Sequence, residues 1–165
     1  MIRKYATVWM LCFGALISAC SQESPDELLT KGEDATHSVS TYPQAERYLV
    51  KFLDIYPGDP RADVALQALA RVLLGQKKHQ DAIQRYDELV TRFPNSRYVD
   101  QAQFMVGYIH EEQGRLDLAR EAYLKLIEAY PESDLIDDAR ASVENLGKVP
   151  EAWLFPDSAH AEAGE

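Results

Sequence analysis

Histidines and carboxylates are the side chains of this sequence that could supply catalytic or metal-binding chemistry. The four histidines are widely separated: His37, His79, His110 and His160. No pair of them has the spacing of zinc ligands, and the sequence contains neither a phosphate-binding loop nor a His-Glu-x-x-His motif. His110 is followed by two glutamates, but adjacent residues on a helix point in different directions. We therefore interpret His110 as a packing residue and predict a protein that is not an enzyme, with no cofactor and no metal.

The acidic residues also fail to define a site. The chain has 27 Asp and Glu against 17 Lys and Arg, for a net charge of −10, which disfavours nucleic acid as a partner. Asp134, Asp137 and Asp138 could be read as a cation site. An acid-rich first helical turn, stabilised by the helix dipole, is the simpler interpretation. Among so many carboxylates, nothing singles out two as an acid–base pair.

The N-terminal residues have the composition of a secretory signal. Arg3 and Lys4 precede an uncharged run over 5–19, which is shorter than the roughly 20 apolar residues that a membrane-spanning helix needs. We predict that 1–19 is a cleaved signal peptide. Cleavage would take Arg3 and Lys4 with it and change the net charge from −10 to −12. Cys12 would also be removed, so no disulfide is expected.

The end of this run, Ile17-Ser18-Ala19-Cys20, resembles the lipobox of bacterial lipoproteins. The resemblance implies that Cys20 becomes the lipid-bearing first residue and that 20–24 is a short linker. An ordinary secretory signal with a cysteine beside the cleavage point is the alternative. Ser21, where Asp commonly favours inner-membrane retention, implies transport to the outer membrane of a Gram-negative cell. The expected location is lipid-anchored, on the periplasmic face.

An internal repeat follows the signal. Aromatic–proline pairs recur every 37 residues, at Tyr56-Pro57, Phe93-Pro94 and Tyr130-Pro131. The segments before them align without gaps, each beginning with an alanine: Ala45, Ala82 and Ala119. Apolar residues at helical spacing predict two helices in each period. The first should be capped by Asp59, Ser96 or Ser133, and the second should end at the proline.

The ends of the array are less regular. Ser24-Pro25-Asp26-Glu27 has the pattern of a capping box, which predicts a helix from Pro25 to about Val39. A last helix should run from Asp134 to Leu146 and stop at Gly147. About seven helices are expected in all, the last covering the end of the array.

These repeats resemble the tetratricopeptide repeat. Five residues match the family pattern at its internal spacings, namely Gly107, Gly114, Ala119, Tyr123 and Pro131. The resemblance covers 25–147 and implies an all-α fold, a right-handed α-solenoid of about three helix-turn-helix repeats with a terminal capping helix. The form "aromatic-Pro-x-Ser, then Ala-x-x-x-x-Gly" is similar to the repeats of BamD-like outer-membrane lipoproteins and of the Tol–Pal coordinator family.

The resemblance also implies a partner-binding groove, lined mainly by the first helix of each repeat. We call the matching residues the candidate groove: Gln67, Arg71, Leu74, Gln101, Phe104, Tyr108 and Glu111. Phe104 and Tyr108 form an aromatic pair one turn apart, although either could instead pack on the neighbouring helix. The implied function is a non-catalytic scaffold for a protein or peptide of the cell envelope, in outer-membrane protein assembly. An adapter for the Tol–Pal system, peptidoglycan, a pilus or secretion machinery is the alternative, and no small-molecule substrate is expected.

The C-terminal segment 148–165 is acidic, and we expect it to be partly disordered. Trp153-Leu154-Phe155 is an exception, because three large apolar residues in succession rarely remain exposed. These residues could dock on the array itself or on a partner.

Overall fold

The computed structural model describes residues 23–148. The predicted signal peptide, Cys20 and Trp153-Leu154-Phe155 lie outside the described residues. Seven α-helices follow one another in the described part: α1 Pro25–Asp34, α2 Tyr42–Ile55, α3 Ala62–Gly75, α4 His79–Arg92, α5 Val99–Glu112, α6 Leu116–Ala129 and α7 Ile136–Asn145. Between residues 23 and 148 there is no strand.

The helices stack in order along the chain. Each one packs mainly on the helix before it and the helix after it. They form three antiparallel pairs, α1–α2, α3–α4 and α5–α6, followed by the single helix α7. The predicted all-α solenoid of tetratricopeptide-like repeats is therefore confirmed, as is the number of helices.

Close approach within the α1–α2 and α5–α6 pairs depends on a small residue facing a large one. A Cβ on Gly107 would lie 2.7 Å from the ring of Tyr123, and a Cβ on Gly32 would lie 2.7 Å from Leu49 Cδ2. Leu49 and Tyr123, at equivalent positions of α2 and α6, are fully buried or nearly so. The repeated alanines Ala45, Ala82 and Ala119 are also fully buried. The 37-residue repeat is thus a packing repeat: it places matching side chains at successive helix interfaces.

The residues expected to cap the first helix of each repeat lie slightly outside it. The α3, α5 and α7 helices begin three residues after Asp59, Ser96 and Ser133, and none has a side-chain cap at its N-cap position. Instead, these side chains accept hydrogen bonds from backbone N–H groups in the preceding turn. Asp59 accepts from Arg61, Ser96 from Tyr98 and Ser133 from Leu135. The predicted cap positions are therefore wrong by two residues, since the observed N-cap residues are Arg61, Tyr98 and Leu135.

The first helix is shorter than predicted. Ser24 accepts a hydrogen bond from the Glu27 N–H, as the capping pattern predicts. However, α1 ends at Asp34, and two short 3-10 turns follow, Ala35–His37 and Val39–Thr41. The Thr36 hydroxyl donates to the Glu33 carbonyl and the Thr41 hydroxyl to the Ala35 carbonyl. These side chains satisfy carbonyls that a longer helix would have used.

The last helix, α7, begins two residues later and ends one residue earlier than predicted. Gly147, just beyond its end, has a positive φ of 76°, as expected for a residue that terminates a helix. Across 23–148, no helix combines the length and the hydropathy needed to span a bilayer.

Candidate protein-binding surface

The residues of the candidate groove lie on α3 and α5. Gln67, Arg71 and Leu74 are four and then three residues apart, which places them on one side of α3. Phe104, Tyr108 and Glu111 occupy the equivalent positions of α5, 37 residues later. The two helices meet across this surface, where Gln67 Nε2 donates to Gln101 Oε1 at 3.3 Å. Gln67 is 9% exposed and is the buried polar side chain of the described core.

Arg71 is the cation of this surface. Its side chain is exposed, and it has no carboxylate within ion-pair distance among residues 23–148. It borders a cavity of about 60 Å³ that is also lined by Thr36, Tyr42, Ala68 and Val72. The guanidinium is therefore available to an acceptor group from outside the described residues.

The positive charge of Arg71 affects the pKa of Tyr86, which lies in the core. Burial raises the pKa of Tyr86 to about 12, and the charge of Arg71 acts in the opposite direction. The Tyr86 hydroxyl is buried and has no hydrogen-bond partner within the described residues. With its pKa this high, the Tyr86 phenol stays neutral at pH 7.

The two aromatic residues of α5 have different surroundings. Phe104 is half-buried, and its ring centroid lies 5.2 Å from that of Tyr123 on α6. Tyr108 is 39% exposed, and its hydroxyl donates to Glu112 Oε1 at 2.9 Å. Donation to this carboxylate raises the pKa of Tyr108, with burial as a smaller cause. Phe104 serves mainly to join α5 to α6, whereas Tyr108 presents an aromatic face to solvent.

The remaining groove residues are partly engaged by the fold. Glu111 accepts a hydrogen bond from the Tyr123 hydroxyl at 2.8 Å, and Leu74 packs against the core. Gln101 is exposed apart from its contact with Gln67. The structure therefore brings the seven residues onto one surface and leaves three of them accessible: Arg71, Gln101 and Tyr108.

A second set of polar contacts joins successive repeats and was not predicted from the sequence. Ser96 donates to Asp63 at 2.6 Å, and Ser133 donates to Asp100 at 2.6 Å. Both contacts link the first turn of one helix to the turn that precedes the next equivalent helix. Their common 33-residue separation is visible in the sequence, but the two serines had been assigned as caps of their own helices. These Asp–Ser links join α3 to the turn before α5, and α5 to the turn before α7.

His110 lies near the end of α5 and is half-buried. Burial lowers its pKa, and the nearby charge of Arg115 acts in the same direction, while Asp87 and Glu121 oppose both. Burial also raises the pKa of Asp87, against the charges of Lys125 and His110. The His110 Nδ1 has no hydrogen-bond partner within the described residues. Between residues 23 and 148, no three His, Cys, Asp or Glu side chains cluster closely enough to hold a metal ion.

Comparison with known proteins agrees with the fold. The family pattern described as "Tetratricopeptide repeat" matches the chain twice, over residues 40–97 and 68–134. Together the two matches cover more than half of the chain and include α2 to α6 in full. No curated protein matches the sequence. The chain belongs to the tetratricopeptide-repeat family, whose members are typically non-enzymatic scaffolds for protein interaction.

Proposed function

We propose that this protein is a non-catalytic lipoprotein scaffold on the periplasmic face of the outer membrane, where it binds a protein or peptide partner of the cell envelope. The observation that carries the proposal is the accessible part of the groove surface on α3 and α5. Arg71, Gln101 and Tyr108 combine a cation, an amide and an aromatic ring there. Tyrosine and arginine are enriched among the residues that dominate protein interfaces.

The chemistry of these groups defines the kind of partner. The Gln101 amide can both donate to and accept from a peptide backbone. The Tyr108 ring offers a flat apolar face, and the Arg71 guanidinium offers a fork of donors to a carboxylate or carbonyl. An extended peptide that carries an apolar side chain and an acceptor group fits this arrangement.

The proposed location rests on the sequence around Cys20 and on how soon the fold begins after it. Glu23 already belongs to the folded array: its carboxylate pairs with Lys31 and Lys51, and its carbonyl accepts from the Tyr56 hydroxyl at 2.9 Å. Only two residues separate Glu23 from Cys20. A lipid on Cys20 would therefore hold α1 and α2 close to the membrane surface and confine the groove to the adjacent layer.

Within this class we favour a role in outer-membrane protein assembly, like that of BamD-like lipoproteins, because the aromatic–proline repeat is similar. The described residues hold three helix pairs, fewer than BamD-like proteins typically have. An adapter for the Tol–Pal system, peptidoglycan, a pilus or a secretion system is the second candidate. It is favoured by the likeness of the same repeat to the Tol–Pal coordinator family.

Proximity labelling in intact cell envelopes tests the proposal and separates the two roles. The full-length protein, fused at its C-terminus to a labelling enzyme, should label subunits of the barrel-assembly machinery. Labelling of Pal, pilus or secretin components instead would replace the first role with the second. Labelling of cytoplasmic proteins alone would contradict both.

A matched pair of variants tests the binding surface. The double variant Arg71→Glu, Tyr108→Ala should lose the labelled partner while keeping its helical circular dichroism. The control Arg140→Glu, Leu118→Ala changes an exposed arginine and an exposed apolar residue away from the groove, and should keep the partner. Phe104 is left unchanged because it packs on Tyr123. If the groove variant still labels the partner at the level of the control, the groove assignment is wrong.

A further inference from the structure

In each repeat, the first residue of the second helix contacts the end of the next first helix. The Tyr42 ring lies directly against Gly75 at the end of α3. His79 Nδ1 lies 3.0 Å from Gln113 Nε2, just beyond the end of α5. Leu116 follows the same rule, because a Cβ on Gly147 would lie 3.0 Å from Leu116 Cδ1. These three residues stand 37 positions apart.

Further residues on the same side of the second helix also face the next repeat. On α4, Ile83 is 5% exposed, and Asp87 lies close enough to His110 and Lys125 for their charges to affect its pKa. On this side of α4, Ile83 is therefore covered, whereas Asp87 is exposed. On α2, Glu46 pairs with Lys78 across the same junction.

On α6 the equivalent side is uncovered. We call Leu116, Arg120 and Leu124 the end stripe; Arg120 and Leu124 are the counterparts of Ile83 and Asp87. Leu116 is 36% exposed and Leu124 is 49% exposed. Within the described residues, no helix follows α7 that could cover this side of α6. Leu124 is apolar, whereas the preceding repeat has a charged residue, Asp87, at the equivalent position.

The chain itself leaves the described structure beside this stripe. Gly147 turns with a positive φ next to Leu116, and Lys148 is the last described residue. Residues 149–155 can span up to roughly 23 Å when extended, whereas the end stripe is about 12 Å long from Leu116 to Leu124. The segment that follows Lys148 is therefore long enough to cover the stripe.

The sequence of that segment complements the stripe in two respects. Trp153 stands 37 residues after Leu116, in the series Tyr42, His79, Leu116, and is followed by two more large apolar residues. The segment 149–165 contains four acidic residues and no Lys or Arg. Arg120, in the middle of the stripe, has no carboxylate partner among residues 23–148, and its guanidinium donates a hydrogen bond to the Val143 carbonyl.

We propose that residues 149–156 of this chain fold back on the end stripe, so that Trp153-Leu154-Phe155 covers Leu116 and Leu124 and Glu151 approaches Arg120. The segment takes the place of the next helix of the array. It closes the apolar end of the solenoid and leaves the groove on α3 and α5 free for a partner.

Tryptophan fluorescence in the full-length chain tests this proposal directly. The sequence has two tryptophans, Trp9 and Trp153, so the variant Trp9→Phe leaves Trp153 as the sole reporter. We expect a blue-shifted emission that acrylamide quenches poorly. Adding Leu124→Asp, which introduces the residue that α4 carries at this position, should shift the emission to longer wavelength and increase quenching.

Leu118→Asp is the matched control. Leu118 is also an exposed leucine of α6, at 45%, but it points about 120° away from Leu124 around the helix. It should leave the emission of Trp153 unchanged, and circular dichroism should show both variants folded. If Leu124→Asp unfolds the chain, Leu116→Gln serves in its place with the same expected shift.

Three results would overturn the proposal. Emission of Trp153 typical of full solvent exposure in the parent would show that the stripe is not covered by this segment. Equal shifts from Leu124→Asp and Leu118→Asp would place Trp153 elsewhere. Protection that disappears on dilution, together with a dimer in light scattering, would identify a second copy of the chain as the occupant.

Discussion

Gly107 sets the distance between α5 and α6 because the Tyr123 ring occupies the space that a side chain would need. We expect Gly107→Ala to lower the free energy of unfolding by about 1 kcal/mol. Overpacking a core costs about 1–3 kcal/mol, and the higher helix propensity of alanine returns only about 1 kcal/mol. Urea denaturation measures the change.

Gly58→Ala is the control for this substitution. A Cβ on Gly58 would meet nothing within 4 Å, so its stability should stay the same or rise slightly through the lower entropy of the unfolded chain. An equal loss in both variants would show that the Tyr123 contact does not set the helix spacing.

His110 should make the stability of the array dependent on pH. In the folded chain, burial lowers the pKa of His110 below the ordinary value of 6.5 that applies to the unfolded chain. Between the folded and the unfolded pKa, the unfolded chain therefore binds more protons than the folded one. The contribution of neutral His110 to the free energy of unfolding is therefore complete above pH 6.5. It is lost as the pH falls from 6.5 through the lower pKa of the folded state. The groups facing His110 are Asp87 on α4, Arg115 before α6 and Glu121 on α6.

The variant His110→Leu keeps an apolar side chain of similar size and removes the titration. Its urea midpoint should fall less than that of the parent when the pH is lowered from 7.5 to 5.5, about one pH unit on either side of the ordinary histidine pKa. A parallel decrease in both proteins would assign the pH dependence to other groups.

At the scale of the elements, the Asp–Ser links hold successive repeats in register. Ser133→Ala removes the hydrogen bonds to Asp100 and to the Leu135 N–H. We expect a loss of about 1 kcal/mol, since a hydrogen bond to a charged group contributes about 1.5–3 kcal/mol and this one is only partly buried. Relative to the parent, amide hydrogen exchange should become faster in α7 and stay unchanged in α3.

Ser40→Ala provides the comparison for that variant. Ser40 is exposed, and its side chain contacts only the Ser38 hydroxyl, so exchange and stability should stay close to those of the parent. If Ser133→Ala also behaves like the parent, the link to Asp100 does not contribute to the spacing of the repeats.

The number and order of the helices could be predicted because the 37-residue period places apolar residues at helical spacing, and burial of those residues dominates the packing. The helix ends could not. Thr36 and Thr41 donate to the carbonyls of Glu33 and Ala35 at the end of α1, and Ser96 bonds to an aspartate 33 residues away. The threonine bonds are local alternatives to the helical hydrogen bonds, whereas the Ser96 bond depends on tertiary proximity that sequence spacing alone does not show.

The candidate site was predictable to a similar degree. Repeat register placed the seven groove residues on one surface, since equivalent helices present equivalent sides. It could not distinguish Phe104, which packs on Tyr123, from Tyr108, which remains 39% exposed. That difference depends on the position of α6 relative to each ring. The residues of the end stripe were also missed, because a leucine on a helix is ordinarily a core residue.

At the scale of the whole molecule, the location of the array should depend on Cys20. We expect Cys20→Ser to leave the helical circular dichroism and melting temperature unchanged, since the described fold begins at Glu23. The protein should move from the outer-membrane fraction to the soluble fraction of fractionated cells. Each methylene of a lipid chain that enters the bilayer contributes about 0.8 kcal/mol.

Mass spectrometry of the parent gives the second measurement, because a lipid on Cys20 adds a fixed mass to the N-terminal peptide. An unlipidated Cys20→Ser protein that remained in the outer-membrane fraction would contradict the anchor. The array would then be held there by its partner alone.

The consecutive packing of the helices also affects how the chain can acquire its structure. The substantial contacts of the described residues join neighbouring helices, apart from a smaller contact between α1 and α3. Contacts that are close in sequence require little loop closure and form quickly. A chain that emerges N-terminus first through a narrow pore could therefore fold one hairpin at a time. Each finished helix pair would serve as the template for the next, before the distant residues had appeared.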